Sequence, residues 1–139
     1  MAGREKNNYQ NSEDLKTIKM KNLITGATGF VGSHIAERLI REGEEVVALV
    51  RKTSDTGFLS SIGAKFVYGD IGDLESVKRA VRGIDVVYHS AALADEWISP
   101  KEAYRVNVEG TGNILDAVRE AKVKRFIFIS SLAVLGMRD

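Results

Sequence analysis

Cysteine is absent, which excludes disulfides and thiolate-held metal sites. A reducing compartment is compatible with that composition. The only histidines, His34 and His89, are too few for a histidine-rich metal cluster. No apolar run approaches the roughly 20 residues needed to span a bilayer. The N-terminal residues contain no apolar signal core. Charge of one sign is not in excess either, with Lys plus Arg at 20 and Asp plus Glu at 19. That balance gives no electrostatic reason to expect nucleic acid or an anionic membrane surface as partner. The default expectation is a cytoplasmic protein with no metal, no nucleic acid and no membrane among its partners.

What is present has the make-up of an ordinary globular chain. Its 139 residues fit one domain, long enough to bury roughly two thirds of the unfolded surface. Met1 to Lys19 differ from the rest, being polar, rich in Asn, Lys and Glu, and poor in apolar periodicity. They read as a disordered tail or one added for expression, with Met20 close to a natural start. The alternative is a short helix around Asp14 to Ile18 docking on the body. The domain proper is then expected to run over 20–139.

From Lys21 apolar strands alternate with amphipathic helices. Strands are expected at Asn22 to Thr25, Glu45 to Arg51, Lys65 to Tyr68, Ile84 to His89 and Arg125 to Ser130. Between them, the spacing of Val31, Ile35 and Leu39 predicts a helix over Phe30 to Arg41, with Gly43 as its stop. A short helix is expected at Gly57 to Ile62 and another at Leu74 to Val81. A long helix is expected from about Lys101 to Ala121, introduced by Ser99 as cap and Pro100 in the first turn. The strands are continuous apolar runs rather than strict alternations, as strands covered on both faces are. The fold class is therefore α/β: a doubly wound Rossmann-type parallel sheet, strand order 3-2-1-4-5, with helices on both faces.

The decisive segment is Thr25-Gly26-Ala27-Thr28-Gly29-Phe30-Val31-Gly32. It leaves a strand and opens a helix, the context in which a glycine pattern has a mechanism. Gly26 permits the tight turn, Gly29 lets the backbone approach a pyrophosphate, and Gly32 lets the helix pack closely on the sheet. Free N–H groups at the helix start, with the positive end of its dipole, favour phosphate charge. Thr28, Phe30 and Val31 belong to the same candidate cofactor-binding turn.

The spacing Gly-x-x-Gly-x-x-Gly resembles the extended short-chain dehydrogenase/reductase family, which contains NAD(P)-dependent epimerases and dehydratases and dihydroflavonol-reductase-like proteins. The resemblance extends over Lys21 to about Gly136 through four further segments: Gly69-Asp70 with Asp73, His89-Ser90-Ala91-Ala92, Asn107-Val108-Glu109-Gly110-Thr111-Gly112-Asn113, and Phe128-Ile129-Ser130-Ser131 with Val134-Leu135-Gly136. It implies that Asp70 and the backbone of Ile71 border the adenine. Ala91 and Ala92 are implied to line the ribose and nicotinamide side, and Asn107 to tie the long helix to the loop after strand four. Each has a plainer reading: Asp70 as a turn cap, His89 as a buried hydrogen-bonding residue, Trp97 and Tyr104 as packing residues.

An acidic residue at the end of strand two usually grips a free ribose 2′-hydroxyl. Here the region reads Leu49-Val50-Arg51-Lys52-Thr53-Ser54, with no carboxylate before Asp55. Arg51 offers a planar, permanently charged donor suited to a 2′-phosphate, and Lys52, Thr53 and Ser54 stand ready to add contacts. NADP is favoured over NAD. The alternative is a solvated strand end with NAD bound without the usual acid.

The resemblance implies a catalytic Ser or Thr, Tyr and Lys. Ser131 matches the serine position and is the one catalytic candidate. The Tyr-x-x-x-Lys pair is absent: Glu13, Gly72, Ala92 and Val108 stand four places after Tyr9, Tyr68, Tyr88 and Tyr104. The chain is accordingly expected to be the N-terminal portion of a longer enzyme acting by hydride transfer on a sugar nucleotide or a hydroxy or keto substrate, and by itself to bind cofactor without turnover. Alternatives are a stand-alone dinucleotide-binding or redox-sensing module and a non-catalytic interaction subunit. Strand five is expected as an apolar edge open to homodimerisation.

Overall fold

The apolar runs form five parallel strands in the computed structural model, which describes residues 19–94 and 97–136: β1 (Lys21–Thr25), β2 (Glu45–Val50), β3 (Lys65–Tyr68), β4 (Val86–His89) and β5 (Arg125–Phe128). The tail expected over Met1 to Lys19, and the alternative helix within it, lie outside the described residues except for Lys19. The sheet order is β3-β2-β1-β4-β5 with every pairing parallel, as expected. The helices are α1 (Phe30–Arg41), α2 (Gly57–Ser61), α3 (Leu74–Ala80), α4 (Pro100–Tyr104) and α5 (Thr111–Glu120).

Side chains alternate across a strand, and in the central strand β1 both faces are covered. Leu23 points into a cluster with Leu49, Val87, Val77 of α3, and Ile114 and Ala117 of α5. Ile24 points the other way, against Ala48, Val50, Ala36 of α1 and Leu59 of α2. This two-sided burial is why β1 and β2 read as unbroken apolar runs. The caps follow local chemistry. Helix α1 closes on Gly43, whose N–H donates to the Ile40 carbonyl at 2.9 Å while the Glu44 N–H reaches the Leu39 carbonyl at 3.0 Å. Ser99 caps α4, its Oγ accepting from the Glu102 N–H at 3.2 Å with Pro100 just inside the helix.

Several boundaries differ from expectation. Strand β2 stops at Val50 because Arg51 enters a turn closed by the Ser54 N–H on the Arg51 carbonyl at 3.0 Å. Strand β4 starts at Val86, since the Ile84 N–H still turns back to the Val81 carbonyl at 3.2 Å. Strand β5 ends at Phe128, and a 3₁₀ turn, Leu132–Leu135, follows. The long helix is not uniform: Arg105–Gly110, between α4 and α5, is π-helical. Such one-turn widenings occur often at functional sites. Strand β5 is one of the two sheet edges, with Phe128 51% exposed.

Candidate functional site

The connections leave β1 toward β2 on one side and reach β4 on the other, so the sheet order reverses between β1 and β4. A crevice outside the carboxyl ends of the strands at such a point is where ligands of open α/β sheets bind. Here that crevice is a cleft of about 260 Å³. Its walls come from the β1–α1 turn (Thr25, Gly26, Thr28, Gly29), the end of β2 (Leu49, Val50, Arg51, Ser54) and the end of β3 (Gly69, Asp70, Ile71). The loop after β4 (Ser90, Ala91, Ala92, Leu93) and the start of the long helix (Glu102, Arg105, Val106) complete them.

The three glycines of the turn do different jobs. Gly26 has φ +69°, and a Cβ there would lie 2.6 Å from the Ala91 nitrogen. A Cβ on Gly32 would lie 2.2 Å from the Gly26 carbonyl oxygen. Both positions therefore exclude side chains for reasons internal to the fold. Gly29 is different, since a Cβ there would meet only the Gly26 carbonyl oxygen, at 3.3 Å, and would otherwise stand free in the cleft. Gly29 is the N-cap of α1 and supplies no capping side chain, and no acidic residue stands in the first turn. By contrast α3 is capped by Asp73 and α4 by Ser99. The unsatisfied amides at the start of the 12-residue α1 are thus left for whatever enters the cleft.

Of the residues singled out in the sequence, Gly26, Thr28, Gly29, Arg51, Asp70, Ile71, Ala91 and Ala92 share this cleft. Gly32 lies behind it, buried against the turn. The side chains of Phe30 and Val31 line a separate open groove beside Tyr88, while their backbone amides are among those left free at the start of α1. Lys52 and Ser131 do not line the cleft; Ser131 caps the 3₁₀ turn, accepting from the Ala133 N–H at 3.2 Å. Arg51 is exposed, and among the described residues no carboxylate pairs with it. Asp55, the nearest following acid, is turned away and accepts from the Gly57 N–H at 2.9 Å. Asp70 does cap its own turn, Oδ1 accepting from the Gly72 N–H at 2.7 Å. The Ile71 carbonyl is held by Asn113 Nδ2 at 2.8 Å.

Beneath the cleft runs a chain of hydrogen bonds that is partly buried at Leu93, Asn107 and Thr111 and fully buried at His89 and Thr25. Asn107, on the π-helical segment, clasps both backbone groups of Leu93: Oδ1 accepts from its N–H and Nδ2 donates to its carbonyl, each at 2.8 Å. The Thr111 hydroxyl donates to the Asn107 carbonyl at 2.7 Å. With its proton so placed, the Thr111 Oγ1 is an acceptor for His89 Nε2, 2.9 Å away. With Nε2 donating, His89 Nδ1 carries the lone pair and accepts from the Thr25 hydroxyl at 2.6 Å. His89 is fully buried, and burial pushes its pKa down from 6.5 to about 4, so the ring is neutral, as this arrangement requires. It is the buried hydrogen-bonding residue expected from the sequence, and the Asn107 tie is present as the resemblance implied.

Sequence reasoning missed three residues that shape the site. Ser76 Oγ accepts from the Asp70 N–H at 3.0 Å and donates to the Asp70 carbonyl at 2.8 Å, fixing the β3–α3 turn. Glu102 and Arg105 line the cleft from the long helix. No local pattern marks them, because their roles come from the packing of that helix on the β3–α3 turn. Among the described residues no cluster of three or more His, Asp or Glu is placed to hold a metal, and no helix is long and apolar enough to cross a membrane.

Comparison with known proteins agrees with this geometry. The model of the NAD dependent epimerase/dehydratase family matches residues 22–139. A putative dihydroflavonol 4-reductase of Synechocystis is 36% identical over 116 residues, covering 83% of this chain and 34% of the relative. A UDP-glucose 4-epimerase of Streptomyces lividans is 38% identical over 124 residues, covering 84% and 37%. Among solved structures, the UDP-glucose-4-epimerase from Stenotrophomonas maltophila with bound NAD and formylated UDP-arabinopyranose superposes with a TM-score of 0.77 at 32% identity, covering 86% of this chain and 39% of that one. The chain thus spans little more than a third of the length of the relatives it matches.

Proposed function

The chain belongs to the NAD dependent epimerase/dehydratase family, and on that premise we propose that its cleft holds a nicotinamide dinucleotide, NADP in preference to NAD. The observation that carries the proposal is the uncapped start of α1 opening on Gly29 at the reversal of sheet order. Orphan amides and a dipole end there suit a diphosphate, and a glycine with no internal reason to be glycine leaves room for it. From that anchor the adenosine ribose reaches the end of β2, where an acid would serve NAD. The exposed guanidinium of Arg51 stands there instead and suits a 2′-phosphate. Asp70 and Ile71 border the adenine, and Ala91 and Ala92 line the path toward the nicotinamide. Thr28 adds a hydroxyl at the diphosphate; Lys52 acts at longer range.

When bound, the cofactor supplies hydride transfer at its nicotinamide. This chain's residues bind and orient it. In a protein of the relatives' length, the substrate would be a sugar nucleotide or a hydroxy or keto compound, with Ser131 as the hydroxyl facing it. The absence of any Tyr-x-x-x-Lys pair favours cofactor binding without turnover by these 139 residues alone. The open edge of β5 supports self-association.

Calorimetric titration of the folded chain with NADPH and NADH tests the central proposal. Saturable binding of either is expected, tighter for NADPH. No heat from either dinucleotide at millimolar concentration would overturn it.

A further inference from the structure

We propose that Arg105 is the residue that covers the adenine, its guanidinium stacking on the purine ring from the long-helix side. The inference rests on the cofactor reading above and adds to it a contact from an element that sequence reasoning left out of the site.

Arg105 opens the π-helical segment and lines the cleft. Its side chain does not stay on its own helix. Glu102 stands three residues earlier, at a spacing that favours helical ion pairs, yet no salt bridge joins them, and the guanidinium has no polar partner among the described residues. It reaches instead across to the β3–α3 turn, where Nη1 lies 3.0 Å from the point a Cβ on Gly72 would occupy. The guanidinium therefore sits over the Asp70-Ile71-Gly72 corner.

The order of ligand parts along the cleft follows from its ends. A diphosphate at the start of α1 puts the adenosine ribose at β2, and the base one step further, at the carboxyl end of β3. Asp70 and Ile71 line the cleft there, together with Leu49 and Arg105. An unpaired guanidinium is weakly hydrated and stacks on aromatic faces, including those of nucleic-acid bases. Arg51 and Arg105 then have separate tasks. Arg51 discriminates at the 2′ position, and Arg105 acts on the base that NAD and NADP share.

The test compares wild type, Arg105→Ala and Arg105→Lys of the full chain in titrations with NADH, NADPH, 5′-AMP and nicotinamide mononucleotide. Arg105→Ala is expected to weaken NADH, NADPH and 5′-AMP by one common factor, roughly three- to thirtyfold, and to leave nicotinamide mononucleotide unchanged. Arg105→Lys should recover little of the loss, since an ammonium keeps the charge without the planar face. Wild-type affinity for 5′-AMP in Arg105→Ala would overturn the assignment. So would full recovery in Arg105→Lys, which would mean simple charge attraction, or equal losses for both mononucleotides, which would mean a distorted cleft. If wild type binds neither dinucleotide, the cofactor reading fails and this contact falls with it; if wild type binds both and Arg105→Ala matches it, only the contact fails.

Discussion

The hydroxyl of Thr25 and the Nδ1 of His89 meet at 2.6 Å at the adjacent carboxyl ends of β1 and β4, directly below the point where the sheet order reverses. The two strands are thereby tied where the cleft begins. On the far side of the ring, Thr111 and Asn107 carry the tie on to Leu93 in the cleft wall. The glycine turn, the loop after β4 and the long helix are held by one chain of donors and acceptors in which each member is satisfied.

That chain makes stability depend on pH in a stated direction. His89 has a folded-state pKa of about 4, below its ordinary 6.5, so between these values the unfolded chain binds the extra proton. Stability from this group is complete above about pH 6.5 and is lost as pH falls toward 4, by about 3 kcal/mol in total. Glu45 and Asp85, whose carboxyls are held below their usual range by Lys65 and Lys124, give up their contribution only at lower pH. Denaturant titrations of wild type and His89→Asn between pH 5 and 7 should therefore differ in slope, wild type losing stability on acidification and the variant much less. Parallel profiles would show that the ring does not titrate as a buried neutral group.

Thr111 is the second test of the chain. Thr111→Val keeps shape and β-branching but removes the acceptor for His89 Nε2 and the donor to the Asn107 carbonyl. A buried N–H left unpaired costs about 1–3 kcal/mol, and Thr111→Ser should restore most of it. An unfolding midpoint for Thr111→Val equivalent to wild type within about 0.5 kcal/mol would mean the proposed donor order is wrong.

Gly32 and Gly29 should separate folding from binding. Gly32→Ala forces a methyl to within 2.2 Å of a backbone oxygen, so the helix must shift on the sheet. Loss of several kcal/mol, or failure to fold, is expected on the scale of severe overpacking. Gly29→Val places its side chain in the cleft instead, and should leave a cooperative unfolding transition while abolishing dinucleotide binding. Circular dichroism melts alongside cofactor titration read both. A Gly29→Val protein that still bound cofactor would deny the diphosphate its place at α1.

Much of this was legible in the sequence because the governing signals are local. Strand order and the extent of α1 follow from runs such as Val46 to Val50 and from the spacing of Val31, Ile35 and Leu39. The turn is legible because Gly26 and Gly32 answer to contacts within a few residues of themselves or one strand away. What was not legible depends on how side chains meet once the elements have packed, not on a pattern in the chain. Ser76 matters because α3 folds back on Asp70, six residues earlier. Arg105 matters because the long helix crosses the β3–α3 turn. The side chains of Phe30 and Val31 lie along the groove beside Tyr88, so what these two positions offer the cleft is their first-turn amides rather than their side chains.

The choice between the two dinucleotides rests on Arg51. The NAD-favouring arrangement needs a carboxylate at the end of β2, and the first acid there, Asp55, is already engaged with the Gly57 N–H. Arg51 is exposed and lines the cleft, with its guanidinium unpaired among the described residues, so on the proposed reading a 2′-phosphate would meet a donor that needs no rearrangement of an existing ion pair. A charge-assisted contact of this kind contributes about 1.5–3 kcal/mol, which is roughly ten- to a hundredfold in affinity. Arg51→Ala should therefore weaken NADPH by about that factor and NADH by much less, while Arg51→Asp should reverse the preference by repelling the phosphate and offering the ribose an acceptor. Lys52, outside the cleft lining, should matter less, and more at low salt than at high. Competitive titration of each variant with both dinucleotides gives the ratios directly. Equal losses for the two in Arg51→Ala would mean that the end of β2 does not read the 2′ position.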